Sequence, residues 1–481
     1  MNINRKEKNN FLAEVGLYGF GGVLARLIGV ATTAVLARLL TTGQFGQLDF
    51  LLGIIALIVT SFSLQTENAL LRLYHVAEVK EKSNLLGTHL VFSTIVGVCS
   101  PALLIIFKLF FGSFLAQNIP DINVGWISPL FLSGLWFNHV LALLRTSRKA
   151  STAIVFSCGV TLLQLLLTFP LAYFYGVGGV LLARATAELF GSLVVMFENK
   201  ADYRLGISGY WLRRSIRYGA PLLPEVMAQG IVGNVSRYAL ISSLGAVSVG
   251  IFAVGVKISL ILGVFVGAFK TAWLPHAFSL QKEKSESGSY QSIDSVYIKS
   301  YFRIMFLLSM IVMVFSKDII TVVVSSRYVD AAPIVGILCV STMLQGLVVV
   351  MKTPFMVSEQ TVKVMITSFI TIFLSSALAF VAVPRWGIMA AAIVNMLSYV
   401  FLLCVLYVQL PNRVKFRWIM LSAFAVSSVI TFGCIYVMPW FVDLSFFVRF
   451  GFGSVIIFVA FFLLQQERHW VAEIISEKFS I

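Results

Sequence analysis

The sequence predicts an all-α, polytopic membrane protein of about fourteen transmembrane helices. Three observations predict it. Apolar stretches of about 18 or more residues recur from Phe11 to Leu464, and each can cross a ~30 Å hydrocarbon core at ~1.5 Å per residue. Charged residues form 12% of the chain against 59% hydrophobic, with a mean hydropathy of +0.92, where a soluble chain carries about 25% charge. The connecting loops alternate between basic and sparsely charged, the mark of a chain whose Lys and Arg are retained on one side of a bilayer. The apolar runs lack the period-two alternation of a transmembrane barrel.

Turn residues and charge clusters delimit the helices in order. The first, 12–40, follows Arg5, Lys6 and Lys8 and stops at the polar turn Thr41–Gly43. The second, 45–73, closes on Arg72, and the third, 84–113, begins after Lys80 and Lys82 and runs toward the turn around Pro120. The fourth, 122–147, ends at Arg145, Arg148 and Lys149; the fifth and sixth, 151–175 and 178–198, flank the glycine turn at Gly176–Gly179. After the basic loop Asn199–Ser215 come 216–243 and 247–275, joined at Leu244–Val249. The Ser-rich stretch Gln281–Val296 has the composition of a flexible linker and precedes 296–325, 331–356, 361–382 and 386–409. The last two spans, 416–438 and 444–464, are parted by Pro439.

The basic loops place both termini in the cytoplasm, and only the loop with Lys317, Arg327 and Asp330 departs from the alternation. That pattern also accounts for the net charge of +15 without nucleic-acid binding. The first apolar stretch is too long for a signal-peptide core, so it is expected to remain as a helix. Cys99, Cys158, Cys339, Cys404 and Cys434 all fall inside spans with no metal-ligand spacing, which predicts neither a metal site nor a cofactor.

The two halves echo each other. Leu40–Gly46 (LTTGQFG) and Leu244–Gly250 (LGAVSVG) hold the same place between helices one and two and between seven and eight, and the same offset sets Arg72 against His276. The shift preserves direction through the membrane, so the repeats are parallel. The expected organisation is a first lobe over 1–199, a cytoplasmic linker over 200–215, a second lobe over 216–410, and helices thirteen and fourteen with a cytoplasmic tail over 411–481.

Charged side chains inside the helices carry the chemistry, because a charge at bilayer depth is expensive and faces a cavity or a partner. Arg26 lies about fourteen residues into helix one, Lys257 about ten residues from the outer end of helix eight, and Arg184 within helix six. This mostly cationic set points to an anionic cargo: a guanidinium grips phosphate oxygens as a fork and an ammonium acts as a point charge. An ion pair of Arg26 or Lys257 with Glu225 or Asp49 is the competing reading, as is an intrahelical pair of Arg184 with Glu188. Arg38 and Arg237 sit near enough the outer surface to serve as interfacial anchors or cargo contacts. Lys270, Lys352 and Arg72 read mainly as topology signals. Three acids are candidates for coupling to an ion: Asp49, Glu67 in the polar run Thr60–Asn68, and Glu225, which shares a helical face with Gln229 and Ser236 after Pro221 and Pro224. His139 reads as a packed histidine. No phosphate-binding loop or paired-carboxylate constellation marks an enzyme.

The run Arg38–Gly46 (RLLTTGQFG) resembles the first hairpin of bacterial polysaccharide flippases, the exporters of O-antigen, capsule and related repeat units within the multidrug and lipid-linked oligosaccharide exporter superfamily. Arg237–Lys257 (RYALISSLGAVSVGIFAVGVK), followed by Ala272–Pro275 (AWLP), is similar to the same family. The resemblance spans the chain in length and hydropathy, and these hairpins in motif. It implies a secondary transporter working by alternating access, with an undecaprenyl-diphosphate-linked glycan as cargo between two lobes. It also implies a monomer in the lipid bilayer, with a polysaccharide polymerase as a partner. A lipid II flippase, a multidrug exporter of the same superfamily and a membrane glycosyltransferase are the alternatives.

Overall fold

A computed structural model describes residues 28–102, 127–147, 150–270, 295–357 and 360–409, with a few isolated positions between them. Arg26, the spans 416–438 and 444–464, and most of the stretch 281–296 lie outside the described residues. The described chain is helical throughout, with no strand. Among the described residues, five helices are long and apolar enough to cross a membrane, or seven when two bent pairs each count as one span.

Helix α1 (Ile28–Leu39) leads into α2 (Thr42–Phe62) through a reciprocal cap: Gln44 N–H donates to Thr41 Oγ1 at 3.3 Å and Thr41 N–H donates to Gln44 Oε1 at 3.1 Å. The continuous helix expected over 45–73 is broken. Leu64 and Gln65 have φ of +49° and +55°, and α3 (Thr66–Val76) starts in a new direction. Neither residue is glycine, so the left-handed pair costs about 1–3 kcal/mol per residue and persists only because its surroundings hold it. Gly219 does so in part, since a β-carbon there would collide with the Leu64 carbonyl.

Next come α4 (Val79–Val98), α5 (Ser128–Thr146) and the 49-residue α6 (Ala150–Glu198). Gly176, with φ +54° and ψ −130°, folds α6 back on itself, so that Gly191 packs against Val160 and Phe156 and Gly179 against the Leu171 backbone. It is a two-span hairpin, as its glycines predict.

A short amphipathic helix, α7 (Gly209–Gly219), seals its buried Trp211–Ser215–Gly219 edge against α3 and α4. Then follow α8 (Leu223–Leu244), α9 (Ala246–Ser259), α10 (Gly263–Lys270), α11 (Ser295–Val314), α12 (Ser316–Val324), α13 (Ala332–Val357) and α14 (Thr361–Gln409). Two spans expected to be continuous are bent, by 48° between α9 and α10 and by 65° between α11 and α12. At the first bend, Leu262 and Gly263 reach back only three residues for their hydrogen bonds, which tightens the turn. Like α6, α14 is a hairpin, broken at Gly387 (φ +64°), and Thr367 Oγ1 donates to Gln409 Oε1 across it at 3.1 Å.

The halves meet along α2 and α9. Helix α13 forms the centre, with 89% of its apolar window buried. The outer faces of α6 and α14 expose Leu166, Phe169, Phe174, Phe369, Phe373 and Trp386, an apolar belt suited to lipid.

Candidate functional site

A buried charge cluster lies on the seam between the halves. Asp49 sits on α2 and is buried. Arg237, on α8, places Nε 2.6 Å from Asp49 Oδ2, and Lys257, in the last turn of α9, places Nζ 3.7 Å from Oδ1. Arg237 Nη1 also donates to the Gly233 carbonyl at 3.0 Å and to Asn234 Oδ1 at 3.2 Å, so its guanidinium is held on one side by its own helix. Phe252 of α9 lies beneath it, 5.8 Å from ring centre to Cζ. The approach depends on Gly53, one turn beyond Asp49, whose missing side chain leaves room for Asn234.

Two cations share one carboxylate, so the cluster carries an excess positive charge. The Asp49 and Arg237 side chains are 8% and 12% exposed, whereas Lys257 is 38% exposed. An anion reaching this site would meet the ammonium first and the guanidinium fork behind it.

Of the other described residues singled out in the sequence, none forms an ion pair with this cluster. Arg184 Nε donates to Glu188 Oε1 at 2.8 Å, and Glu188 Oε2 accepts from Ser133 Oγ at 2.7 Å, which makes a closed network between α5 and α6. Arg38 donates from Nε to the Val324 carbonyl at 2.9 Å and from Nη2 to that of Val322 at 2.7 Å. It thereby caps the end of α12 with a positive charge and ties α1 to the second half. Glu225 accepts from Gln229 at 3.0 Å and lies 3.6 Å from Lys352 Nζ on α13. Glu67 accepts from Ser63 Oγ at 3.2 Å.

Lys352 and Asn234 were missed as site residues. The sequence signal for Lys352, a cation near a helix end, is the same one that marks membrane orientation; only the tertiary fold, which brings Lys352 within ion-pair reach of Glu225, turns it inward. Asn234 carries a weak signal, three residues before Arg237 on the same face. Ser236, read with Glu225 as one polar stripe, instead donates to the Ala391 carbonyl of α14 at 2.8 Å. Among the described residues no three His, Cys, Asp or Glu side chains converge as metal ligands. Cys158 and Cys339 are buried as expected of small hydrophobes, while Cys99 is exposed.

Comparison with known proteins gives a consistent picture. The family described as polysaccharide biosynthesis protein matches residues 11–281, more than half of the chain. An Lsg locus protein of Haemophilus influenzae is 21% identical over 277 residues, which cover 56% of this chain and 66% of that protein, slightly under two thirds of its length. Among solved structures, the lipid II flippase MurJ in an inward closed conformation superposes with a TM-score of 0.67 at 12% identity, over 94% of this chain and 99% of that one. An inward-facing MATE-family multidrug resistance transporter of the MOP superfamily gives 0.61 at 17% identity, over 86% and 95%. A MOP-superfamily transporter from Pyrococcus furiosus, described by the reversed polarity of its binding pocket, gives 0.58 at 15% identity, over 87% and 96%. At these identities the likeness establishes the fold, which is that of membrane transporters and flippases.

Proposed function

Because the chain belongs to the polysaccharide biosynthesis protein family, we propose that it flips an undecaprenyl-diphosphate-linked oligosaccharide, an O-antigen or related repeat unit, across a bacterial inner membrane. One observation carries this reading: the seam between the halves holds Arg237 and Lys257 against a single Asp49, leaving an excess positive charge for an anionic group. The diphosphate competes with Asp49 for the Arg237 fork while Lys257 screens its second charge. The polyprenyl tail stays in lipid along the apolar outer faces.

Alternating access would act on the contacts near the turns 40–46 and 244–250. Arg38 on the α12 carbonyls, Arg237 on Asp49 and the α2–α9 seam close that end together, and cargo that takes Arg237 away from Asp49 removes one of the three. The basic loops support cytoplasmic termini and a cytoplasmic loading side. The chain acts as a monomeric secondary transporter and delivers its product to a polysaccharide polymerase. Membrane potential or an ion gradient supplies the drive, at ~2.3 kcal/mol per elementary charge per ~100 mV.

Lys257→Gln tests this, since that side chain is the more exposed cation and contributes least to packing. Surface glycan is expected to fall to the level of a deletion strain while the amount of protein in the membrane stays normal; unchanged surface glycan would refute the reading. The full-length likeness to MurJ favours one rival, a lipid II flippase. Proteoliposomes offered either lipid II or a lipid-linked repeat unit separate the two by which lipid is translocated. A cationic drug, by contrast, would be repelled at this cluster.

A further inference from the structure

Among the carboxylates within the helical body are Asp49, Glu67, Glu188 and Glu225. Asp49, Glu188 and Glu225 each have a cation within 4.0 Å. Glu67 has none among the described residues; its partner is the Ser63 hydroxyl. A charge withdrawn from water with no counter-ion costs several kcal/mol, a penalty removed when the group takes up a proton.

The surroundings of Glu67 are built for that. It faces a cavity of about 10 Å³, room for one water molecule, lined by Ser63, His89, Ser93, Asn138 and His139. Both imidazoles are 3% exposed. His89 Nε2 lies 2.9 Å from Ser215 Oγ on α7, and His139 Nε2 lies 3.3 Å from the Tyr203 hydroxyl in the linker. Burial, helped by the neighbouring Asp202, pushes the Tyr203 phenol up, so the hydroxyl keeps its proton at physiological pH and can donate to or accept from His139 according to the imidazole tautomer. Among the described residues, the cavity lining presents no titratable group to Glu67 besides the two histidines, and Arg72, on the same helix, stacks over Tyr218 at 4.8 Å. The left-handed pair Leu64–Gln65 turns the chain immediately before Glu67, and backbone strain of this kind is held where a side chain must be aimed.

We propose that Glu67 is a proton-binding site, connected to the cytoplasmic linker through a single water, His139 and Tyr203, and that its loading is coupled to the movement of the first half. In the loaded form the carboxyl carries an O–H bond; in the unloaded form the proton has passed to the water and the imidazole chain. The coupling clause rests on the transport reading above; proton binding itself does not.

Infrared difference spectroscopy of the purified protein tests the site directly. The wild type is expected to show a protonated-carboxyl stretch that titrates with pH and is lost in Glu67→Gln, which keeps the hydrogen bond to Ser63. His139→Gln should move its midpoint, and Glu67→Asp should retain a band at a shifted midpoint. A band unchanged by Glu67→Gln, or one that follows sodium concentration at fixed pH, overturns the proposal. In proteoliposomes, the response of glycan translocation to an imposed pH gradient should vanish in Glu67→Gln, and an intact response overturns the coupling. If the wild type moves no glycan at all, the infrared band still decides the site, so a wrong cargo and a wrong proton site give different results.

Discussion

Gly46 and Gly250, 204 residues apart and at corresponding places in the two halves, press on each other's backbone. A β-carbon on Gly46 would collide with the Ala246 carbonyl and lie 2.6 Å from Gly250 N; one on Gly250 would collide with the Thr42 carbonyl and lie 3.2 Å from Gly46 N. Thr42 and Ala246 are themselves separated by the same offset, so the contact is reciprocal, as a twofold relation between parallel repeats requires.

The seam should therefore reject even a methyl group. Gly46→Ala is expected to lower stability by at least about 1–3 kcal/mol, the usual range for overpacking. Gly233→Ala, in α8 with nothing within 4 Å of its added carbon, should be neutral or stabilise by up to about 1 kcal/mol. Thermal melting of the two variants in detergent checks the contrast.

Asp49 balances Arg237, and removing either alone should be worse than removing both. Asp49→Asn is expected to cost about 3–5 kcal/mol by stranding a buried guanidinium, while Asp49→Asn with Arg237→Gln recovers most of it. A double-mutant cycle in melting measures the coupling, and additive losses would show that the pair is not a unit.

Arg184 should be dispensable for cargo. It is satisfied by Glu188 one turn on and lies away from the seam cluster. Arg184→Gln is expected to leave surface glycan unchanged while lowering stability by about 1–3 kcal/mol, because the buried Glu188 carboxylate keeps only Ser133 as a partner. Loss of surface glycan at normal protein level would return Arg184 to the cargo path.

Arg38 should act as a clasp between α1 and α12. With exposed Cys99 replaced by serine, a cysteine introduced by Val324→Cys is expected to react slowly with a water-soluble thiol reagent, because position 324 is buried. Arg38→Ala should raise its labelling rate several-fold. Arg38→Lys should raise it partway, since an ammonium cannot reach the Val322 and Val324 carbonyls together as the guanidinium fork does.

The sequence by itself determined the class of the molecule and the run of its helices. Hydropathy, the positive loops and the glycine turn at Gly176 are local properties, each expressed within one or two turns of chain. The Leu40–Gly46 and Leu244–Gly250 echo also survived intact, because a glycine needed for close approach leaves its mark in composition. Tertiary structure alone decided which charges meet. Asp49 and Arg237 are 188 residues apart, and nothing in either helix states that one neutralises the other. Lys352 became a partner of Glu225 because the tertiary fold brings the two within 3.6 Å, and the break at Leu64–Gln65 has no glycine or proline to announce it. Periodicity specifies a face, but the free energy of a buried charge depends on what the opposite helix brings to that face.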